Sequence, residues 1–147
     1  MDQTKRAWLN RYIVKKRRAE GLAKRLVRVR SGSGSLRSPV LSGVPGSKRE
    51  TSYTEDISVK AEELEQRIRA INKTAEVYKS EIIDAIDELE DTTRAEILER
   101  FFILDQSIDY ISEDMDYSYR HIQRLLSLAV SDIRIPNNGE GWSKFYD

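Results

Sequence analysis

Apolar residues recur at alternating intervals of four and three along the middle of this 147-residue chain. A seam of this period, sustained over more than four heptads, is typical of a helix that packs along its length against another helix. Thr54, followed by Glu55 and Asp56, supplies an N-cap and an acidic first turn. We therefore predict one long helix in residues 53–91, with its carboxylates on a solvated outer face. The seam consists of Ile57, Ala61, Leu64, Ile68, Ile71, Ala75, Tyr78, Ile82, Ala85 and Leu89.

A second helix is predicted in residues 1–30, where apolar residues recur at helical spacing and proline is absent. Residues 31–52 hold four of the seven glycines and two of the three prolines, which predicts a flexible linker. The N-terminal helix has the right period to pack antiparallel on the long helix and close a hairpin. A coiled coil between two copies of the chain, through the same seam, is the alternative.

Three short helices are predicted in residues 92–133, separated by tight turns. Their expected bounds are 93–103, 108–115 and 119–133, and Ser107 and Ser118 occupy N-cap positions. Three such helices are the minimal architecture of a helix-turn-helix domain. The predicted fold class is therefore all-α, a helical hairpin or coiled coil followed by a small helix-turn-helix domain, with residues 134–147 as a tail.

The composition argues against several classes of function. The chain has no cysteine and a single histidine, so we expect no metal site and no cofactor. No apolar run is long enough to span a bilayer and no secretory signal is present, which predicts a cytoplasmic protein without membrane contact. Its carboxylates lie on amphipathic helices without a glycine-rich loop or a basic partner, and we therefore expect no enzyme activity.

Charge is segregated along the chain although the formal net charge is zero. Residues 1–50 hold 14 Lys and Arg against 3 Asp and Glu, whereas residues 51–117 hold 7 against 19. The basic segment predicts either a polyanion partner or contact with the acidic helix. Because its cations are distributed around the N-terminal helix, both interpretations stay open. The candidates for non-specific nucleic-acid contact are Lys15, Lys16, Arg17, Arg18, Lys24, Arg25, Arg28 and Arg30.

The last predicted helix has the residue composition of a recognition helix. Arginine pairs with guanine edges or phosphate, glutamine pairs with adenine edges, and a helix N-terminus binds phosphate. Residues 92–133 nevertheless carry four Arg against eight Asp and Glu, a charge that repels DNA unless the arginines lie on the docking face. A helix kept only for packing or protein contact is the alternative. The predicted DNA-binding residues are Ser118, Tyr119, Arg120, His121, Gln123 and Arg124.

The segment from Leu98 to Val130 resembles the region 4 helix-turn-helix of bacterial sigma factors. It is particularly similar to phage late-gene transcription regulators of the RinA/ArpU type. Trp8 to Tyr12 and the linker Ser42 to Ser47 also resemble landmarks of that family. Asp105 and Asp116 depart from it, because the family usually has glycine at these turn positions. The residues that match the family motif are Phe102, Ile103, Ser107, Ile111, Tyr117, Ser118, Arg120 and Ile122.

The resemblance implies a DNA-binding transcription regulator, an activator of phage late genes in the cytoplasm of a bacterial host. Its expected partner is double-stranded DNA, with host RNA polymerase as a further partner. The alternative is a protein-interaction module that docks on the polymerase without reading DNA, which the acidic residues Asp109, Glu113 and Asp114 favour. In the tail, Trp142, Phe145 and Tyr146 are either a docking motif or part of a disordered end.

Overall fold

A computed structural model describes residues 2–32 and 47–136 of the chain. These residues form α-helices and contain no strand, which confirms the predicted all-α class. The chain divides into two compact units: unit 1 comprises Met1–Lys15 and Thr74–Asp147, and unit 2 comprises Lys16–Lys73. The helices are α1 (Gln3–Gly32), α2 (Ser47–Asp87), α3 (Thr92–Phe102), α4 (Ile108–Met115) and α5 (Tyr119–Asp132).

The two long helices take up part of the predicted linker. Helix α1 continues through Gly32 and α2 already begins at Ser47, so the predicted linker bounds of 31 and 52 are wrong. No proline or glycine occurs between Gly46 and the predicted helix start, and lysine, arginine and glutamate have high helix propensity there. The central residues of that linker, 33–46, lie outside the described residues.

In unit 2, the heptad seam of α2 packs against α1. Leu22 and Leu26 of α1 form a buried cluster with Ala61 and Leu64 of α2. Three half-buried side chains complete this cluster, and Arg30 forms an ion pair with Glu65 at its margin. The apolar contact and the ion pair together hold the two helices side by side. The half-buried residues are Val29, Ile68 and Ile71.

Helix α2 ends at Asp87, so the predicted helix end at residue 91 is wrong and Leu89 follows the helix. All ten predicted seam residues are nevertheless buried or half-buried, which confirms the seam. The apolar residues that cover it come from the same chain, among them Leu22 in unit 2 and Trp8 in unit 1. The packing of these helices within one chain therefore matches the hairpin prediction. Within the described ranges, no helix has the length and apolar character required to cross a membrane.

Unit 1 contains the larger apolar core. The first turns of α1 supply Trp8 and Leu9, both fully buried, to a cluster that also includes residues of α2, α3, α4 and α5. Fully buried side chains of that kind each contribute about 1.5–3 kcal/mol to the free energy of folding. This contact is not apparent from the sequence, because α1 and α5 lie far apart along the chain. The buried residues that share the cluster with Trp8 and Leu9 include Ile82, Ile97, Leu98, Phe102, Ile111, Ile122, Val130 and Ile133.

A single charged residue is buried among the described side chains of unit 1. Arg11, 5% exposed, forms an ion pair with Glu81 at 2.9 Å and donates from Nε to the carbonyl of Trp8 at 3.0 Å. Its guanidinium also lies 4.8 Å from the ring centre of Trp8 and 4.3 Å from that of Tyr78. These contacts compensate the loss of hydration, which would otherwise make burial of the charge costly.

The bounds of the three short helices agree with the prediction to within one residue. Each helix begins with an N-cap residue whose side chain accepts a hydrogen bond from the backbone N–H three residues further on. The N-cap residues are Asp91, Ser107 and Ser118. Asp105 and Asp116, which lie in the two turns between these helices, both adopt positive φ. The local sequence signals therefore determine where these helices begin and end.

Candidate nucleic-acid interface

Helices α4 and α5 are joined by a three-residue turn, the connection length of a helix-turn-helix. Asp116 ends α4 in the left-handed conformation, with φ 58° and ψ 43°. The next residue, Tyr117, returns its N–H to the carbonyl of Ser112 at 3.0 Å, and Ser118 then caps α5. The turn thus satisfies the free carbonyls of α4 before the chain enters α5.

Helix α5 has one buried side and one exposed side, as the sequence predicts. Ile122, Leu126 and Ala129 are buried in the core of unit 1, and Leu125 is half-buried. Of the predicted site residues, only His121 departs from the exposed side, because it is half-buried. Its ring packs edge-on against Tyr117 with 5.0 Å between ring centres. The exposed site residues are Ser118, Tyr119, Arg120, Gln123 and Arg124.

Two of the four arginines in residues 92–133 are held in ion pairs. Arg94 pairs with Asp132, and Arg100 pairs with Glu96 at 2.9 Å and with Asp114 at 2.6 Å. The hydrogen bonds to Asp114 and then to Glu96 raise the pKa of Arg100 above its ordinary value. Arg100 therefore joins α3 to α4 as a permanent cation.

The other two arginines, Arg120 and Arg124, form no ion pair with any residue that the structure describes. The charges of residues 92–133 are therefore unevenly distributed. Arg94 and Arg100 neutralise carboxylates elsewhere, whereas Arg120 and Arg124 share the exposed side of α5. This arrangement meets the condition for DNA contact that the sequence left open, a concentration of the arginines on one face.

Helix α5 also carries its charges against its own dipole. Its first turn contains Arg120 and no acidic residue, although the N-terminal end of a helix is partially positive. Asp132 lies at the C-terminal end, which is partially negative, and the ion pair with Arg94 compensates it there. No described carboxylate compensates Arg120. A positive residue at this position costs stability unless an anion binds beside it.

Arg6 of α1 joins α5 in a groove of about 480 Å³, which we call the basic groove. The sequence did not predict this residue as part of the site, because its position depends on the burial of Trp8 and Leu9 in unit 1. Lys5 contributes to the placement, since its Nζ donates to the carbonyl of Ser131 at 2.6 Å. The groove is lined by Arg6, Phe101, Ile108, Arg120, Gln123, Arg124, Leu126 and Ser127.

Five cations of α1 in unit 2 share one exposed side of the helix. Intervals of seven and four separate residues 17, 24 and 28, and an interval of seven separates residues 18 and 25. Such intervals bring side chains to the same side of a helix. All five are exposed, whereas Leu22 and Leu26 of the same helix are buried. The other three predicted cations, Lys15, Lys16 and Arg30, lie at other angles, so the eight cations together surround the helix as the sequence indicates. We call the set of five the basic stripe: Arg17, Arg18, Lys24, Arg25 and Arg28.

The other predicted cations of α1 occupy different positions. Lys15 and Lys16 are half-buried, and Arg30 is exposed and paired with Glu65. A second depression in unit 1, of about 760 Å³, has an acidic lining that includes Glu88, Glu90 and Asp132. The described residues contain no cluster of three metal-ligating side chains. The tail residues Trp142, Phe145 and Tyr146 lie outside the described residues.

Comparison of the chain with known protein families, with characterised proteins and with solved structures finds no match.

Proposed function

We propose that this protein is a DNA-binding transcription regulator that places α5 in the major groove of double-stranded DNA. The observation that carries the proposal is the exposed side of α5, where Arg120 and Arg124 lack a described carboxylate partner and Gln123 lies between them in sequence. Arginine forms two hydrogen bonds with guanine and glutamine forms two with adenine. A helix with these side chains at its N-terminal half matches the way recognition helices meet base edges.

The neighbouring residues suit contacts with the DNA backbone. Ser118 and Tyr119 are exposed at the start of α5, where free backbone N–H groups and hydroxyl groups favour phosphate oxygens. His121 supports the turn through its ring contact with Tyr117 and is assigned a positioning role. These contacts would set the orientation of the recognition helix, and base contacts would set its sequence preference.

The biological part of the proposal rests on the resemblance of residues 98–130 to the RinA/ArpU type of regulator. On that basis we assign the protein to the activation of phage late genes in the cytoplasm of a bacterial host, without an enzymatic step or a cofactor. The left-handed aspartates at positions 105 and 116 support the resemblance, because they adopt the backbone conformation that favours glycine at the corresponding family positions.

Selection of binding sites from a library of random DNA duplexes, with the full chain, tests the proposal. We expect an enriched sequence, and we expect Arg120→Ala or Arg124→Ala to weaken binding to it by about 1–3 kcal/mol where the side chain contacts a base. Arg67→Ala is the matched control, because Arg67 is exposed on α2 and belongs to neither basic surface. Failure to enrich any sequence, or unchanged binding by both α5 variants, would contradict the assignment.

Docking on RNA polymerase is the second candidate, and the exposed side of α4 favours it. Asp109, Tyr110 and Glu113 are exposed there and would repel phosphate, but they suit a basic protein surface. The two candidates predict different variants to fail. Loss of polymerase binding in Asp109→Asn with Glu113→Gln, together with normal polymerase binding by Arg120→Ala, would support this role for α4.

A further inference from the structure

We propose that the basic groove between α1 and α5 binds a phosphate of the DNA backbone, and that Arg6 is a DNA-contacting residue. The inference deepens the proposed function, on which it rests, by assigning a second chain segment to the same interface. It concerns unit 1 alone, because Arg6 and all of α5 belong to that unit.

Charge is the first reason. Arg6, Arg120 and Arg124 all line the groove, and no aspartate or glutamate is among the described residues that line it. A depression lined by positive and not by negative side chains has a positive electrostatic potential, which attracts an anion. Each guanidinium carries five N–H donors in a planar fork that fits phosphate oxygens, so an arginine with another contact retains donors for a phosphate.

The floor of the groove is the second reason. Phe101, Ile108 and Leu126 line it together with the arginines, which lowers the local dielectric constant and strengthens the attraction between guanidinium and phosphate. Gln123 and Ser127 add an amide and a hydroxyl as further hydrogen-bond donors. The groove thus combines charge, hydrogen-bond donors and partial exclusion of water.

The backbone supplies the third reason, because the start of α1 is held in place. Asp2 caps this helix by accepting hydrogen bonds from the N–H groups of Thr4 and Lys5 at 3.0 and 3.3 Å. Lys5 donates to the carbonyl of Ser131, and Trp8 is fully buried. Arg6 is thus fixed between two anchored positions. A rigid backbone reduces the entropy lost when a side chain binds its ligand.

A DNA phosphate suits the groove better than a free small anion because of its surroundings. Gln123 and Arg124 line the groove and also belong to the exposed side of α5 that is proposed to meet base edges. A duplex whose major groove holds α5 brings its own backbone beside the same helix. The phosphate would therefore reach the groove as part of the duplex.

Salt titration of duplex binding with Arg6→Ala tests the inference. Loss of one phosphate contact should lower the slope of log affinity against log salt by about 0.9, equivalent to about an 8-fold loss at 0.1 M salt. The loss should be the same for selected and scrambled duplexes. Arg67→Ala should leave the slope unchanged. Arg6→Lys keeps the positive charge, so its slope should stay close to that of the parent protein. Thermal unfolding of each variant will show that the fold is kept.

Phosphate ethylation interference locates the contact. We expect one position at which ethylation weakens binding by the parent protein but not by Arg6→Ala. An unchanged slope for Arg6→Ala, or a loss confined to the selected sequence, overturns the groove inference while α5 remains the recognition helix. Absence of any duplex binding by the parent protein instead overturns the proposed function itself.

Discussion

Asp116 holds the turn between α4 and α5 in a conformation that most side chains avoid. Its φ of 58° places it in the left-handed region, where the Cβ atom of an L-residue approaches the following carbonyl oxygen. Aspartate tolerates this region better than most residues, since its short side chain forms local hydrogen bonds. The direction of α5, and hence of Arg120, depends on this single backbone angle.

Asp116→Ala should lower the free energy of unfolding by about 1 kcal/mol, because alanine adopts positive φ less readily than aspartate. Asp116→Gly should stay within about 0.5 kcal/mol of the parent, since glycine reaches this conformation without strain but loses more entropy on folding. Urea denaturation measures both. Glu99→Ala removes an exposed carboxylate from helical backbone and serves as the control; equal effects of the two Asp116 variants would contradict the strain argument.

The charged residues at the two ends of α5 are placed unfavourably with respect to the helix dipole. An ordinary surface helix places carboxylates in its first turn, whereas α5 has Arg120 there and Asp132 at its other end. The core contacts of Ile122, Leu126 and Ala129 are what keep the helix folded. The proposed contact with DNA would explain why Arg120 lies in the first turn, because the helix N-terminus and the arginine would together contact phosphate or base edges.

Arg120→Glu should therefore raise the free energy of unfolding by about 0.3–1 kcal/mol, while it abolishes DNA binding. Glutamate in the first turn interacts favourably with the helix dipole, and the arginines of the basic groove lie nearby. Thermal unfolding at low salt and duplex binding measure the two effects. With Arg67→Glu as the control for net charge, a loss of stability specific to Arg120→Glu would refute the dipole argument.

Local sequence signals specify the helices but not every boundary or partner. The serines at 107 and 118 predict two helix starts to the residue, because capping involves only a few neighbouring positions. The start of α2 at Ser47 was not predicted, because the helix propensity of the residues after it is a weaker signal than the glycines and prolines just before it. Arg6 could not be assigned to the site because its placement follows from core contacts distant in sequence.

At the scale of the whole molecule, the basic and acidic segments of the sequence do not simply neutralise each other. Arg30 pairs with Glu65 in unit 2, but the basic stripe of α1 is exposed and its side chains lie away from the buried leucines. The structure thus exposes a cationic surface on α1 in addition to the basic groove. We expect this stripe to contribute sequence-independent affinity for DNA.

Arg18→Ala combined with Arg25→Ala should lower the salt slope of DNA binding by up to about 1.8, the value for two lost phosphate contacts. The preference for the selected sequence over a scrambled one should not change, because the stripe does not belong to α5. Fluorescence anisotropy at several salt concentrations measures both quantities. A slope equal to that of the Arg67→Ala control would exclude the stripe from the interface.

The cationic start of α5 and the acidic depression near its other end have a kinetic consequence for the proposed complex with DNA. Twelve residues separate Arg120 from Asp132, or about 18 Å along the helix, which exceeds the Debye length of about 8 Å at physiological salt. An approaching duplex therefore meets attraction at one end and, around the acidic depression, repulsion at the other. In the proposed complex, we expect collisions in the wrong orientation to separate quickly and the electric field of unit 1 to turn the protein toward productive encounter before any base contact forms.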